Sequence, residues 1–357
     1  MTTKNLLIIA SALGISLNFL NAYAANSTSL ATAKLKPGME YSIAAVWLKP
    51  GASNLNYVIY NKGLPLQSPS WTEKEIQPSY SPGFTLGIRY IFPNIQDVDV
   101  NLNWTHLSTN DSSSISTDSN SYFLGPDYEI GPSGIPIRNA SGKVTFNYDV
   151  VNLDVGQFIR IGESVHLRFF GGLSTAFLRE NVIANYSGNT TGTYAGPFHV
   201  NQNVVSNFTG VGPRFGIYAD NTTQSGFGFF GEAAVSALIG SMYSKTGYVS
   251  SAQQLLTVYN QTSNSQTIAD DRVYQTVPAF DAKLGINYTY ALKNNALLTI
   301  AAGYQAAVYI NAISQYLPAS LVPNQGIETG GIFVATMSHT LSNYSVQGPF
   351  LNFTLKI

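Results

Sequence analysis

The sequence predicts an all-β protein, an antiparallel transmembrane β-barrel of about ten strands with short periplasmic turns and long extracellular loops. Three observations predict it. Apolar and polar residues alternate strictly over separate segments, the connections between those segments are short and long in turn, and Trp and Tyr gather near the segment ends.

The segment FDAKLGINYTY shows the alternation: Phe280, Ala282, Leu284, Ile286, Tyr288 and Tyr290 are interleaved with Asp281, Lys283, Gly285, Asn287 and Thr289. Side chains of a strand point to opposite faces in turn, so one face is apolar and the other polar. The same pattern recurs in GMEYSIAAVWL, with Met39, Tyr41, Ile43, Ala45 and Trp47 on the apolar face, and in GFTLGIRYI, with Phe84, Leu86, Ile88 and Tyr90. It continues through DVDVNLNWT, KVTFNYDVVNLDVGQF, VHLRFFGGLSTAF, FTGVGPRFGIYA, FGFFGEAAVSALIG, ALLTIAAGYQAAVYI and the terminal PFLNFTLKI. Each is long enough for the roughly 9–11 residues of a tilted membrane strand. The fourth segment changes phase at Val150-Val151, which predicts a β-bulge there.

Periodicity alone also fits a soluble sandwich, and the connections separate the two. FPNIQD, RIGES, DNTTQSG and LKNN are short turns, whereas polar stretches near 49–83, 107–142, 180–206, 244–273 and 311–345 are long. A membrane barrel sorts its connections in this way, and a sandwich has no reason to. Trp47 and Trp104 fall near the outer strand ends and Tyr90, Tyr288 and Tyr290 near the inner ones, which sketches two interfacial girdles.

At the N-terminus Lys4 precedes the apolar run LLIIASALGISLNFL and then Asn21-Ala22-Tyr23-Ala24. This pattern predicts a cleaved secretory signal peptide over residues 1–24 and leaves 25–357 as the barrel of a bacterial outer membrane. The run is shorter than the roughly 20 residues of a spanning helix. Charged residues are 10% of the chain and the formal net charge is −1, so nucleic acid is not an expected partner. With no cysteine there is neither a disulfide nor a thiolate metal site, and no cofactor is expected.

With the apolar faces toward lipid, the expected lumen-lining residues are Glu40, Arg89, Asp99, Asp154, His166, Arg168, Arg214, Glu232, Asp281, Lys283 and Lys356. Charges of both signs can plug a narrow barrel as ion pairs or line a small selective constriction. A hairpin centred near Ile161 would place Asp154 opposite Arg168 as a cross-strand pair. Signals for catalysis are weak. Ser164 and His166 share a strand face without a third group, and lipid hydrolysis would need such a pair on the lipid side. Asp270 and Asp271, or His106 near an outer rim, suggest a surface protease only weakly, since Asp in a polar loop is usually just solvated. Gly210 to Gly216 departs from a nucleotide loop, and His166 and His199 lack a ligand-spaced partner.

The segments GVGPRFGIYAD, GFGFFGEAAVSALIG, FDAKLGINYTY, AAGYQAAVY and QGPFLNFTLKI together resemble the pore-forming outer-membrane proteins related to the Legionella major outer membrane protein. The resemblance spans the mature chain, is strongest in its second half, and is most specific at the G-x-GPR-x-G segment. It implies a barrel with porin-like activity and surface loops that touch host molecules. The family's major protein is associated with cysteine cross-links, which this chain has no residues to form. Its last residue is Ile357 where barrel-assembly signals prefer an aromatic, and Phe353 and Phe350 are the candidates to serve instead. The expected function is therefore a porin-like pore for small solutes or ions, set in lipid and lipopolysaccharide, with conductance governed by Arg89, Arg168, Arg214, Lys283, Glu232 and Asp281. The alternative is a closed structural or adhesive barrel working through loops near 50–83 and 107–142.

Overall fold

The computed structural model describes residues 37–62, 70–93, 97–117, 122–126, 137–161, 164–190, 196–223, 225–250, 264–292, 296–323 and 332–357. The predicted signal peptide lies outside them. The strands are β1 (Gly38–Gly51), β2 (Asn56–Lys62), β3 (Ser70–Glu75), β4 (Ser81–Ile91), β5 (Val98–Ser116), β6 (Tyr122–Pro126), β7 (Ile137–Ile161), β8 (Val165–Thr190), β9 (Gly196–Thr222), β10 (Phe227–Ser250), β11 (Asn264–Ala269), β12 (Val273–Ala291), β13 (Leu297–Pro323) and β14 (Ile332–Lys356).

Ten of these form a closed antiparallel ring in the order β1-β4-β5-β7-β8-β9-β10-β12-β13-β14, and β14 pairs back onto β1 from Glu40↔Lys356 to Gly51↔Ser345. Closure leaves no strand edge in the ring, as hydrocarbon requires, since lipid offers no partner to a free N–H or C=O. All ten predicted strands are present, and the predicted lipid faces are the outward ones: Tyr41, Ile43, Trp47, Leu86, Ile88, Leu102, Leu153, Phe215, Val235, Leu284 and Phe353 are all exposed. Phe350 points the other way, into the barrel, so of the two predicted C-terminal aromatics only Phe353 faces out.

Two expectations are overturned. The register of β7 against both neighbours runs without a shift through Val150 and Val151, so no bulge lies there. The polarity of the two faces inverts instead. On the turn side of this point Val151, Leu153, Val155, Ile159 and Ile161 face outward and Asn152 and Asp154 inward. Beyond it Thr145, Asn147 and Asp149 face outward, while Val144, Phe146, Tyr148 and Val150 fill the interior. The phase change read from the sequence marks the exit from the membrane. A register irregularity does occur on β13 between Tyr309 and Ile313, where Asn311 adopts φ 57°, a conformation Asn tolerates better than most residues.

The second correction concerns the long polar stretches, which are largely strand. β7 to β10, β13 and β14 have 24 to 27 residues each, more than twice what a membrane crossing needs. The barrel therefore projects beyond the bilayer as an outer extension, polar outside and largely apolar inside, with the arrangement of a water-soluble barrel. Trp104 lies mid-strand for this reason and still marks the interface, one pleat below Asp149, to which its Nε1 donates at 3.0 Å.

This boundary is testable by moving one charge along β7. Leu153→Arg places a cation in hydrocarbon and is expected to cost about 2–4 kcal/mol, whereas Asn147→Arg, above the boundary, is expected to cost little. Urea titration of the refolded barrel in lipid vesicles measures both.

Candidate functional site: the filled lumen

Every predicted lumen residue points inward, and two ion-pair groups hold most of them. In the first, Lys356 Nζ is 3.4 Å from Glu40, Glu40 is 3.3 Å from Arg89 Nη1, Arg89 Nε is 3.1 Å from Asp99, and Arg168 Nη2 is 2.8 Å from the same Asp99. This chain of alternating sign crosses β14, β1, β4, β5 and β8. To reach Asp99, Arg168 passes over β7 at Gly156, where a Cβ would run into its guanidinium. In the second group Arg214 holds Asp154 at 2.6 Å, Glu232 at 3.2 Å and Asp281 at 2.8 Å. The Phe170 ring lies between the groups, 4.8 Å from the Arg168 guanidinium carbon and 4.9 Å from that of Arg214. Arg168 and Arg214 are each 2% exposed, Asp154 1% and Asp99 0%. Such burial is sustained only by pairing, because an isolated ion costs several kcal/mol to desolvate.

The predicted Asp154–Arg168 pair is absent. Ile161 pairs with Val165, which sets Asp154 opposite Gly172 and Arg168 opposite Phe158. The two ions find partners on more distant strands. Of the predicted residues, Lys283 lies beside Glu232 in the β10–β12 register. His166 is buried with its Nδ1 3.8 Å from Asp220, too long for a hydrogen bond, and that nitrogen bonds to no other group, Ser164 included.

Above the ion pairs the lumen is aromatic. Tyr148 and Tyr309 share a hydrogen bond of 3.1 Å between hydroxyls, and β7 and β13 stand five places apart in the ring of ten, on opposite walls. Tyr344 reaches across to the Asn147 carbonyl at 3.2 Å and packs on both rings. Leu48, Leu107, Leu238 and Val277 complete this layer. Beside the first ion-pair group and toward the turns lies a cavity of about 210 Å³, lined by its Glu40, Arg89 and Lys356 and by His166, Asp220 and Lys283 among others.

The outer mouth is covered by described residues of the connection between β1 and β4, where the sequence predicts a long polar surface loop. Leu55, Tyr57, Val58 and Ile76 are buried in it. Ile76 N donates to the Leu55 carbonyl at 2.9 Å, Tyr186 donates to the Tyr57 carbonyl, and Tyr57 meets Ser113 at 3.1 Å. Tyr57 and Ile76 lie over Gly142, where a Cβ would stand 2.7–2.8 Å from them. Asn54 Nδ2 donates to Glu180 Oε1 at 2.6 Å, and burial pushes the Glu180 carboxyl up to about 7. No signal in the sequence marked this cover, since Leu55, Tyr57 and Ile76 lie in a polar stretch without a clear period.

A family model described as the Legionella pneumophila major outer membrane protein precursor matches residues 32–357. The chain belongs to that family. No curated protein matches it in sequence. Among solved structures the Legionella family member is similar to the outer membrane protease OmpT from Escherichia coli, at 8% identity over 89% of this chain and 96% of that one with a TM-score of 0.38. It is also similar to the P. putida toluene transporter TodX, at 7% identity over 94% and 95% with a TM-score of 0.26, and to a Pseudomonas aeruginosa FadL homologue, at 8% over 91% and 93% with a TM-score of 0.25. Likeness at this level assigns no activity. Family membership places the protein in the outer membrane.

Two predictions concern this lumen. Arg214→Met leaves Asp154, Glu232 and Asp281 without their shared cation and is expected to cost about 3–5 kcal/mol, read as a lowered urea midpoint. A carboxyl raised above its ordinary value favours the folded state most below that ordinary value and loses this contribution as pH rises through about 7. The cover over the mouth is thus expected to loosen between about pH 4.5 and 7, and Glu180→Gln to abolish the dependence. The rate of maleimide attack on Leu55→Cys, in a chain with no other cysteine, reports it.

Proposed function

We propose that the protein is an outer-membrane barrel closed at rest, which admits small ions or solutes only when its lumenal layers part. The observation that carries this reading is the hydrogen bond between Tyr148 and Tyr309 on opposite walls, above the buried Arg168 and Arg214 ion pairs. A ring of about eight to ten strands leaves a lumen that side chains can fill, and here they fill it. The charged cavity on the turn side favours passage as the work of the barrel, because it brings water as far as the ion pairs. In this reading Arg89, Arg168, Arg214, Lys283, Glu232 and Asp281 set which ion passes. The outer extension gives a second reading, a surface structure meeting partners outside the cell, favoured by the length of β7 to β10 beyond the membrane boundary.

Planar-bilayer recording tests the proposal. Wild-type barrels are expected to show brief openings of low conductance, and Tyr148→Ala with Tyr309→Ala to raise the open fraction severalfold. Arg168→Glu with Arg214→Glu is expected to turn selectivity toward cations. Steady, large conductance from the wild type would refute a closed resting state.

A further inference from the structure

The outer wall carries a polar row that the lumen does not use. His106 on β5 is opposite Asp149 on β7, and its Nδ1 lies 2.8 Å from Asp149 Oδ1. The same carboxylate oxygen accepts from Trp104 Nε1 at 3.0 Å, and the Phe84 ring packs 5.3 Å from the imidazole. One pleat outward on the same face of β5 is Ser108, exposed, with its hydroxyl 2.9 Å from Asn147 Oδ1. Arg179 on β8 is directly opposite Asn147 and also exposed. These residues sit where the outer wall changes from Leu102, Trp104, Val151 and Leu153 to polar side chains, the depth at which acyl chains join their head groups.

We propose that this row is an esterase site acting on fatty-acyl esters of outer-leaflet lipid. The parts required for acyl transfer are neighbours on one face: a hydroxyl, an imidazole, a carboxylate that orients the imidazole, and donors for an oxyanion. His106 and Ser108 are the catalytic residues, and Asp149, itself held by Trp104, is a positioning residue. A rotation of Ser108 about χ1 releases Asn147 and turns the hydroxyl along the strand toward His106, one two-residue repeat of about 6.6 Å away. Ser108 Oγ then bonds to the ester carbonyl carbon and passes its proton to His106 Nε2. The carbonyl oxygen gains negative charge, for which the donors are Asn147 Nδ2, turned inward by an amide flip once Ser108 has left Oδ1, and Arg179, opposite Asn147 on β8. The carbon–oxygen bond to the lipid alcohol breaks, and that alcohol leaves with the proton from His106. Water, deprotonated by His106, attacks the acyl-serine and releases the fatty acid, and Ser108 regains its proton. The site differs from the Ser164 and His166 reading in the one respect the chemistry demands, since it lies on the outer wall at the edge of the lipid and not in the lumen.

The test uses the whole barrel refolded in detergent, with folding scored by heat-modifiable mobility. A fluorophosphonate probe is expected to label Ser108, located by peptide mapping, and fatty acid to be released from phosphatidylglycerol micelles or from acylated lipid A, the two arms separating the lipid sources. Ser108→Ala should lose both label and release, and His106→Gln should lower release on the order of 100-fold or more. Ser114→Ala, outside the row, should leave both unchanged. For Asp149, kcat should fall with KM unchanged in Asp149→Leu and recover in part in Asp149→Glu. Label or release that persists in folded Ser108→Ala, or that is absent from the folded wild type with both lipids, overturns the proposal.

Discussion

Backbone hydrogen bonding in hydrocarbon is the constraint on which the rest of this structure depends. A strand that enters the bilayer must give every N–H and C=O to a neighbour, so the first strand has to meet the last, and β1 does so along its length with β14. Once the ring closes at ten strands, its circumference is fixed and with it the space inside. The lumen is then a packing problem. Arginines that span it, glycines that let them pass and tyrosines that meet in the middle are answers to one narrow cross-section.

Along each long strand the solvent changes while the backbone does not. On β7, below Val150 the outside is lipid and the inside is largely polar; above it the outside is water and the inside is apolar. The two halves are the two environments in which a barrel can exist, joined on the same strands. Trp104 marks the joint because an indole is satisfied with its ring in hydrocarbon and its N–H at a polar partner, here Asp149. The covering segment with Leu55, Tyr57 and Ile76 belongs to the upper half and is held by the same hydrophobic burial that holds any soluble core.

How much of this was legible in the sequence follows from which physical signals are local. Alternation with period two is local, and it located all ten ring strands and their lipid faces. It also registers the change at Val150-Val151, but a switch of solvent and a slip of register produce the same pattern in one dimension, and only the β7–β8 register separates them. The outer halves of the strands were missed because with water outside and small or hydroxyl side chains among the inward ones, as in β8 and β9, they read as polar loops. Pairing across the lumen was not legible at all. Asp154 meets Arg214 rather than Arg168 because a two-residue error in the hairpin centre moves a partner by four positions, and because Arg side chains reach past the adjacent strand. The outward row of His106, Asp149 and Ser108 needs the β5–β7 register, which no single segment contains.

The charges left inside a closed lumen bear on what the barrel is for. Replacing buried ion pairs by well-packed apolar groups is often neutral or favourable by about 1–4 kcal/mol, and the outer half of this same barrel shows apolar filling at work in Phe146, Tyr148, Leu238 and Val277. A membrane half built only for stability would be filled in the same way. It is filled instead by Arg168, Arg214 and their carboxylates, with the charged cavity beneath them. Paired ions can be separated by water and by a passing ion in a way that interlocked aliphatic chains cannot, so a charged filling costs stability and keeps the lumen able to open. That cost is the physical argument for reading the closed barrel as a pore at rest, while the outward row at His106 acts on a different phase and is independent of whether the lumen ever opens.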